Sequence, residues 1–393
     1  MPTSINSKTH FCLLLSVSIG VTILLFVPNA ELVLNSAMGP INEIEGRTWK
    51  IYIVDKGWRS SLDVDSSCTP HISYHTVSDR VLMYATRRGG KWSLQTVDNR
   101  SGSGHTTSLV LDSNDRPIMA RLDVAPHPDQ GALKLTHLNE SGWVSAVVVN
   151  RSSTDFSLAL NSRELPAITY FKTYVPEKGW RALWIATLSP DGTWDHELVD
   201  SLGNLRYSSL YIDSKDHYHI SYEELGSELR YAYWNGSNWG VEKVDTEGVI
   251  GAWSSIGVDN NGKPHVAYYD GTHRKVKYAT VVDDTWKSLS VDDMIGPGLS
   301  LDLDSLGRPH ISYQGLDHHL RHAWWDNSSW RTEIVDNNPY VGIFSTMRID
   351  QCDDIHISYM DEKNLLTKYA TTRDFPIGGI KTTIDINPDT LNL

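Results

Sequence analysis

Short runs of alternating apolar and polar residues recur along most of the chain. One such run is Ser61 to Asp65 (SLDVD), and others end near a Tyr-Ala pair, as at Tyr84. Alternation with a period of two places the apolar side chains on one face of a β-strand. Turn-forming residues separate the runs, as in the segment from Asp259 to Pro264 (DNNGKP). The pattern therefore predicts an all-β protein built from many short strands.

The runs belong to a repeat with a period of about 47 residues. Its clearest landmark is Pro70 to Tyr74 (PHISY), which recurs, complete or in part, to give seven copies. The copies begin at or near Pro70, Pro117, Pro166, His219, Pro264, Pro309 and His356. An Asp or Asn stands five residues before each proline position, and a Trp five residues before a Val follows most copies. Four strands per repeat, at roughly 40–50 residues each, are typical of a β-propeller blade.

The two ends of the repeat array complement each other. The seventh repeat stops after its third run, near Tyr369, whereas Trp49 to Asp55 (WKIYIVD) matches the fourth-run motif ahead of the first full repeat. We therefore predict that the N-terminal strand completes the last blade, which leaves no open sheet edge at the joint of the ring. The predicted fold is a seven-bladed β-propeller of four-stranded blades.

These repeats resemble those of exported prokaryotic seven-bladed β-propellers, whose blades read D-x-x-G-x-P-H-I-S-Y, then L-x-Y-A, then W-x4-V-D. The resemblance covers Trp49 to about Thr371. Its likeness to sialidase-type propellers is one of architecture, which does not imply their chemistry. The tail from Ile380 to Leu393 resembles the first strand of a further extracellular module. We therefore expect that the chain is either truncated or ends in a short extra segment.

Residues that recur in most blades are predicted to be structural, because a ligand site is needed once and a packing site seven times. The repeated Trp is expected to fill the wedge between blades, and the repeated Asp to accept backbone N–H groups in its turn. The His of PHISY is expected to fix its strand by a hydrogen bond. The segment Asp317 to His322 (DHHLRH) is not repeated. Strand alternation would place His318 and His322 on the same side of a strand, where the two rings could bind zinc or nickel. A polar surface hairpin is the simpler interpretation.

The chain begins with a charge-free apolar run, residues 11–27, preceded by Lys8. Its 17 residues fit either a long signal-peptide core or a short membrane-spanning helix. A helix buried in the protein core is the third alternative. We predict a signal peptide or N-terminal membrane anchor at 1–30, a linker at 31–47, the propeller at 48–373 and a tail at 374–393. The propeller would then be extracytoplasmic, secreted or anchored at the cell surface, and would meet a membrane only through residues 11–27 if these are not cleaved.

Export implies an oxidising environment for Cys68 and Cys352. Both fall in the turn between the first and second strands, in the first and seventh repeats. A closed ring makes these blades neighbours, so a disulfide across the joint is a candidate. The alternative is two separate free thiols.

The resemblance implies a ligand site at the channel mouth, on the face formed by the loops from strand 4 to the next strand 1 and from strand 2 to strand 3. The residues just before each first strand break the repeat, which suits a recognition surface. The predicted rim consists of Trp58, Arg59, His105, Asp155, Arg206, Tyr207, Trp253 and Phe344. The alternative is that these rings plug the channel.

The loops between strands 2 and 3 add four acids at one equivalent position. These acids either attract a cation to the channel mouth or are simply solvated: Asp123, Glu224, Asp270 and Asp361.

Composition and motifs exclude several classes of function. A length of 393 residues with 40% hydrophobic content excludes wholesale disorder, and a net charge of -13 argues against nucleic acid as a partner. No motif for a phosphate-binding loop, a G-x-S-x-G nucleophile or an H-E-x-x-H or CxxC metal site is present, so no cofactor and no metal are predicted.

The favoured function is a non-catalytic extracytoplasmic binding or adhesion module that recognises a glycan or another cell-envelope component. The first alternative is an enzyme of the glycosidase or lyase type, which needs paired carboxylates. Asp155 with Asp123, or Glu224 with Asp270, are the pairs that the sequence offers. The second alternative is a structural spacer in a larger surface protein.

Overall fold

A computed structural model describes residues 47–103, 106–123, 131–150, 152 and 155–374. These residues form seven antiparallel sheets of four strands each. Blade 1 contains β2 (Trp58–Val64), β3 (Pro70–His75), β4 (Leu82–Arg88) and β5 (Lys91–Asp98). Blade 2 contains β6 (Thr107–Leu111), β7 (Pro117–Asp123), β8 (Ala132–Asn139) and β9 (Gly142–Asn150). Blade 3 contains β10 (Phe156–Leu160), β11 (Pro166–Val175), β12 (Trp180–Leu188) and β13 (Trp194–Asp200), with one 3-10 turn at Pro176–Lys178.

The remaining four blades repeat the same up-and-down order. Blade 4 contains β14 (Leu205–Ile212), β15 (Tyr218–Glu224), β16 (Glu228–Trp234) and β17 (Trp239–Asp245). Blade 5 contains β18 (Ile250–Val258), β19 (Pro264–Asp270), β20 (Lys275–Val282) and β21 (Thr285–Asp293). Blade 6 contains β22 (Ser300–Leu303), β23 (Pro309–Gln314), β24 (Leu320–Trp325) and β25 (Trp330–Asp336). Blade 7 contains β26 (Val341–Ile349), β27 (Ile355–Asp361), β28 (Leu366–Thr371) and, from the other end of the array, β1 (Lys50–Lys56).

The ring closes as the sequence predicts. Strand β1 pairs antiparallel with β28, with Lys50 opposite Thr371 and Lys56 opposite Leu366. The fourth strand of blade 7 thus comes from the N-terminal end of the array and pairs the edge that β28 would otherwise expose at the joint. The seven-bladed all-β prediction and its closure by the N-terminal strand are confirmed.

Each repeated Trp packs on the preceding blade, as expected. Trp143 of blade 2 meets Tyr84 of blade 1 edge to face, with ring centroids 5.2 Å apart, and Trp286 of blade 5 meets Tyr231 of blade 4 at 5.1 Å. T-shaped aromatic pairs at such distances add to the area that they bury. The apolar cores of the blades are consequently continuous around the ring.

The repeated His and Asp form one hydrogen-bonded unit. Asp65 Oδ1 accepts the backbone N–H groups of Ser67 and Thr69, at 2.9 and 2.7 Å, which shapes the turn. Its Oδ2 lies 3.2 Å from Nε2 of His71, whose Nδ1 in turn bonds the hydroxyl of Tyr84. Buried ring nitrogens need such partners. The structural interpretation of the repeated histidine is therefore confirmed.

The unit of the chain that contains the seven blades begins at Trp49. Among the residues that the structure describes, no helix is long and apolar enough to cross a membrane. The apolar run at 11–27, the linker at 31–46 and the tail from 375 onward lie outside the described residues. The signal or anchor, the linker and the tail module stay predictions.

Candidate functional site

The seven inner strands begin around one cavity at the mouth of the central channel. The cavity has a volume of about 220 Å³, and every blade contributes a residue from the first four positions of its inner strand or from the two residues before that strand. These seven equivalent residues are Arg59, Thr106, Asp155, Tyr207, Trp253, Gly298 and Phe344. The backbone position is thus repeated in every blade, whereas the side chain at that position differs from blade to blade.

A β-bulge presents four of the large side chains. The pairing register shifts at the start of the inner strand in blades 1, 4, 5 and 7. The residue in each bulge has a left-handed backbone, with φ of 51° at Arg59, 55° at Tyr207, 53° at Trp253 and 51° at Phe344. Blade 6 has glycine there, Gly298, with φ of 81°. Left-handed backbone is strained for bulky residues, and such strain concentrates at functional sites.

The structure brings together five of the eight predicted rim residues. Arg59, Asp155, Tyr207, Trp253 and Phe344 all line the mouth cavity. The alternative, that their rings plug the channel, stays a prediction. Their role in binding a ligand stays a prediction.

Among the other predicted rim residues, Trp58 and Arg206 do not line the cavity. The ring of Trp58 turns toward its own blade and meets His75 edge to face at 5.6 Å. Arg206 is held by Glu223, with Nε 2.6 Å from Oε2. Each precedes the left-handed residue, and the bulge turns its side chain away from the cavity. His105 lies outside the described residues.

An aromatic surface covers one side of the mouth. The rings of Tyr207 and Trp253 are tilted against each other with centroids 5.7 Å apart, and Trp253 in turn contacts Tyr269 at 5.4 Å. Burial raises the pKa of Tyr207, so its hydroxyl stays protonated and can donate a hydrogen bond. The sequence analysis missed Tyr269, which lies near the end of β19, opposite Ala252.

Charged groups occupy the other side of the mouth. The Arg59 guanidinium stacks over the ring of Phe344 at 4.7 Å, and among the described residues no carboxylate forms an ion pair with it. Burial lowers the pKa of Arg59, and the charge of Asp155 opposes that shift from a longer distance. Burial raises the pKa of the Asp155 carboxyl, although Arg181, Arg59 and Arg206 favour its charged form. A guanidinium and a carboxyl group, each poorly solvated, thus face one cavity.

Glu223 acts on Asp155, because its charge contributes to the raised pKa of the Asp155 carboxyl. Asp123 instead pairs with Lys134 at 2.5 Å and with Arg121 of its own strand. Adjacent residues of a strand point to opposite faces, so the register of β15 decides between Glu223 and Glu224.

The acids of the 2-to-3 loops are bonded locally. Glu224 Oε2 accepts the hydroxyl of Ser227 at 2.5 Å, and Asp270 Oδ1 accepts the backbone N–H of His273 at 3.0 Å. Asp361 binds the backbone and side chain of Asn364 at 2.9 and 2.8 Å. These acids therefore cap their own turns, and none of them lines the mouth cavity.

His318 and His322 do not share a site. His322 is buried and bonds Nδ1 of His310 at 2.9 Å and Oε1 of Glu333 at 2.9 Å, in place of the tyrosine found in other blades. His318 lies in the turn before β24, with its ring 4.9 Å from that of Tyr340. In the described part of the chain, the one grouping with metal-ligand spacing is elsewhere and comprises Cys68, Asp350 and Cys352.

Cys68 and Cys352 meet at the joint between blades 1 and 7, as the closed ring requires. Their sulfur atoms lie no more than 4.8 Å apart, and both are free thiols, Cys68 buried and Cys352 exposed. The proximity agrees with the sequence-based expectation, whereas the disulfide itself stays a prediction.

Comparison with solved structures identifies similar propellers at low sequence identity. A triple-arginine mutant of AofleA from Arthrobotrys oligospora aligns with a TM-score of 0.51 and 13% identity, over 74% of this chain and 90% of that chain. An α-L-arabinanase of Penicillium chrysogenum complexed with arabinobiose gives 0.50 and 9%, over 82% and 97%. A lectin of Aleuria aurantia in complex with Fucα1-6GlcNAc gives 0.48 and 12%, over 73% and 96%.

No protein-family model matches the chain, and no curated protein matches it. Similarity to solved structures at 9–13% identity establishes the architecture but not a shared function. The chain is a seven-bladed β-propeller, and its resemblance to exported prokaryotic propellers stays a prediction.

Proposed function

We propose that this protein is a non-catalytic, extracytoplasmic binding module that recognises a glycan at the mouth of its propeller. The observation that carries the proposal is the mouth cavity itself. Its frame is repeated, but the residues that line it differ between blades, and four of them, Arg59, Tyr207, Trp253 and Phe344, are held in a strained left-handed conformation. A packing role would favour the same residue in each blade, whereas recognition of one ligand favours different ones.

The chemistry of the cavity suits a sugar. The aromatic surface of Tyr207 and Trp253 offers a flat apolar face to a pyranose or furanose ring. In the same cavity, Arg59 supplies donors and Asp155 supplies acceptors for hydroxyl groups. A volume of about 220 Å³ is below the roughly 300–1,000 Å³ of pockets that enclose drug-sized ligands. The cavity therefore suits a terminal sugar residue better than a long chain.

Two further observations support the proposal. The arabinanase with the same architecture was crystallised with arabinobiose, so this fold accommodates a sugar. The apolar run at residues 11–27 supports export to the side of the membrane where glycans are exposed.

A glycan array probed with the full chain tests this function. We expect a small set of glycans that share one terminal residue to bind, and the double variant Tyr207→Ala/Trp253→Ala to lose them. Trp234→Ala is the matched control, because Trp234 ends β16 at the opposite end of the blade and stacks on Trp239. Binding of no glycan, or equal loss of binding in the control, would refute the proposal.

A second candidate function rests on Asp155. A carboxyl group with a raised pKa in a cavity is the kind of group that acts as a general acid in glycoside cleavage. If the protein cleaves the glycan that it binds, reducing ends or unsaturated products accumulate over time, and Asp155→Asn abolishes that release while binding persists. Intact glycan after prolonged incubation with the wild-type chain would exclude this alternative.

A further inference from the structure

Turns on the side opposite the mouth tie neighbouring blades together through one repeated contact. A serine that follows the repeated Asp donates its backbone N–H and its hydroxyl to an acid in the turn of the next blade. For Ser66 and Asp115 these distances are 2.8 and 2.6 Å. The same contact joins Ser162 to Asp216 at 2.7 and 2.7 Å, and Ser305 to Asp353 at 2.8 and 2.7 Å.

The contact is thus complete at three joints; the joints between blades 4 and 5 and between blades 5 and 6 have glycine, Gly262 and Gly307, at the acid position, and the joint between blades 7 and 1 has no acid there either. Gln351 stands at the serine position of blade 7, and Cys68 stands at the acid position of blade 1. Cys68 has the same left-handed backbone as its equivalents, with φ of 60° against 61° at Asp115. The turn is therefore conserved in shape while a thiol replaces the carboxylate. Gln351 Nε2 reaches the backbone oxygen of Ser66 at 3.0 Å and the sulfur of Cys68 at only 3.8 Å.

A second thiol lies directly across this joint. Cys352 follows Gln351, and its sulfur is within 4.8 Å of the sulfur of Cys68. An S–S bond of roughly 2.05 Å requires the two sulfurs to move closer, and the exposed side chain of Cys352 has room to rotate. We propose that Cys68 and Cys352 form a disulfide that clamps blade 1 to blade 7 and takes the place of the missing serine–acid contact. The clamp would act in the oxidising compartment that export implies.

The oxidant in this proposal is a disulfide, either of a small thiol such as glutathione or of a thiol oxidoreductase. The thiolate of one cysteine attacks that disulfide, forms a mixed disulfide and releases one thiol. The second cysteine then attacks the sulfur of the first and releases the other thiol. One S–S bond forms in the protein, one breaks in the oxidant, and the two cysteine protons end on the two released thiols.

The exposure of the two sulfurs sets the order of attack. Cys352 is exposed, whereas Cys68 is buried. Cys352 therefore reaches the oxidant first, and Cys68 then resolves the mixed disulfide.

The same three residues have ligand spacing for a metal, but their contacts favour the disulfide. Oδ1 of Asp350 accepts the backbone N–H groups of Cys352 and Asp354, at 2.8 and 3.0 Å. Oδ2 lies 3.2 Å from Nε2 of His356 and 3.0 Å from Nη1 of Arg373. The carboxylate is thus fully occupied, and the Arg373 cation opposes a divalent cation at this place.

Peptide mapping without reduction tests the proposal. The full chain is equilibrated in a glutathione/glutathione-disulfide buffer, quenched with an alkylating reagent and digested. We expect a peptide pair linked through Cys68 and Cys352, and a melting temperature that falls by roughly 3–6 °C when a reductant is added. Cys352→Ser should melt at the reduced temperature with or without reductant, whereas Cys12→Ser should behave as the wild type.

Three results would overturn the proposal. The first is recovery of Cys68 and Cys352 as separate alkylated peptides from the oxidised protein. The second is a linked pair whose reduction leaves the melting temperature unchanged, because the bond would then clamp nothing. The third is stoichiometric zinc bound to the purified chain that protects both thiols from alkylation, which would make the site a metal site.

Discussion

The hydroxyl of Ser60 in blade 1 donates a hydrogen bond of 3.0 Å to the hydroxyl of Ser358 in blade 7, across the joint that closes the ring. The two residues lie 298 positions apart in the sequence. Equivalent hydroxyl pairs span four other joints at 2.9–3.0 Å: Ser73/Thr107, Thr169/Ser208, Ser221/Ser254 and Ser312/Ser345. At the two remaining joints the equivalent residues are apolar, and the two residues of each pair belong to the same core cluster: Ala120/Phe156 and Ala267/Leu299. Each hydroxyl thus has a hydroxyl partner, which avoids an unpaired buried polar group.

The joint pair gives a first prediction. Ser358→Ala should lower the free energy of unfolding by about 1–3 kcal/mol, because it leaves the buried Ser60 hydroxyl without this partner. The double variant Ser60→Ala/Ser358→Ala should recover part of that loss. Urea denaturation of both single variants and the double variant measures the coupling. Strictly additive effects would show that the two hydroxyls do not interact.

A second prediction concerns the strand that closes the ring. Removal of residues 1–56 deletes β1 and leaves the edge of β28 unpaired, so cooperative unfolding should be lost and the chain should associate through that edge. Removal of residues 1–46 alone is the control, since it leaves β1 in place. Calorimetry distinguishes the two. A sharp transition in the longer deletion, at the temperature of the control, would contradict closure by β1.

The sequence was sufficient to predict this architecture because the residues that pack the blades together are the residues that recur in the repeat. The repeated Trp and Asp, and the His where it is present, make similar contacts in most blades, so their recurrence predicts the blade, its turn and the closure of the ring. Alignment of the repeats also places His322 at the position of Tyr84, which could have revealed its buried role before the structure did.

The site was only partly predictable, for a geometric reason. Alternation along a strand places neighbours such as Trp58 and Arg59 on opposite faces, but the bulge at that point decides which of them enters the cavity. A bulge has no sequence signature when the left-handed residue is not glycine. The choice between Glu223 and Glu224 depends in the same way on pairing register, which one sequence does not provide.

The left-handed position gives a third prediction. Arg59→Gly should leave the free energy of unfolding unchanged or raise it by up to about 1 kcal/mol, because glycine adopts a φ of 51° without strain. It should nevertheless weaken ligand binding. Gly298→Ala is the reciprocal variant, and its Cβ would lie 2.7 Å from Cα of Phe344, so it should destabilise by more than about 1 kcal/mol. A marked loss of stability in Arg59→Gly would show that its side chain serves packing.

A fourth prediction follows from the buried histidines. Burial lowers the pKa of His265 to about 4, and it also lowers the pKa of His71 and His219. An unfolded histidine titrates near 6.5, so between pH 6.5 and 4 the unfolded chain binds more protons than the folded one. The histidine contribution to stability is therefore complete above pH 6.5 and declines as the pH falls through this window.

Urea denaturation at several pH values between 7 and 5 measures that decline. His265→Gln should be less stable at pH 7 but should show a shallower pH dependence, by up to about one proton. His273→Gln is the control, because its side chain is 65% exposed. An unchanged slope in His265→Gln would show that this histidine is not held neutral by burial.

The central claim is that the mouth cavity binds a glycan, and a calorimetric titration tests it most directly. A glycan identified on the array is titrated into the wild type, into Tyr207→Ala/Trp253→Ala and into Trp234→Ala, with the melting temperature of each recorded. We predict that the mouth double variant binds at least about tenfold more weakly, a loss of roughly 1.4 kcal/mol, while the control binds as the wild type and all three remain folded. Equal affinity in the wild type and in the folded mouth variant would contradict the claim and place the ligand elsewhere.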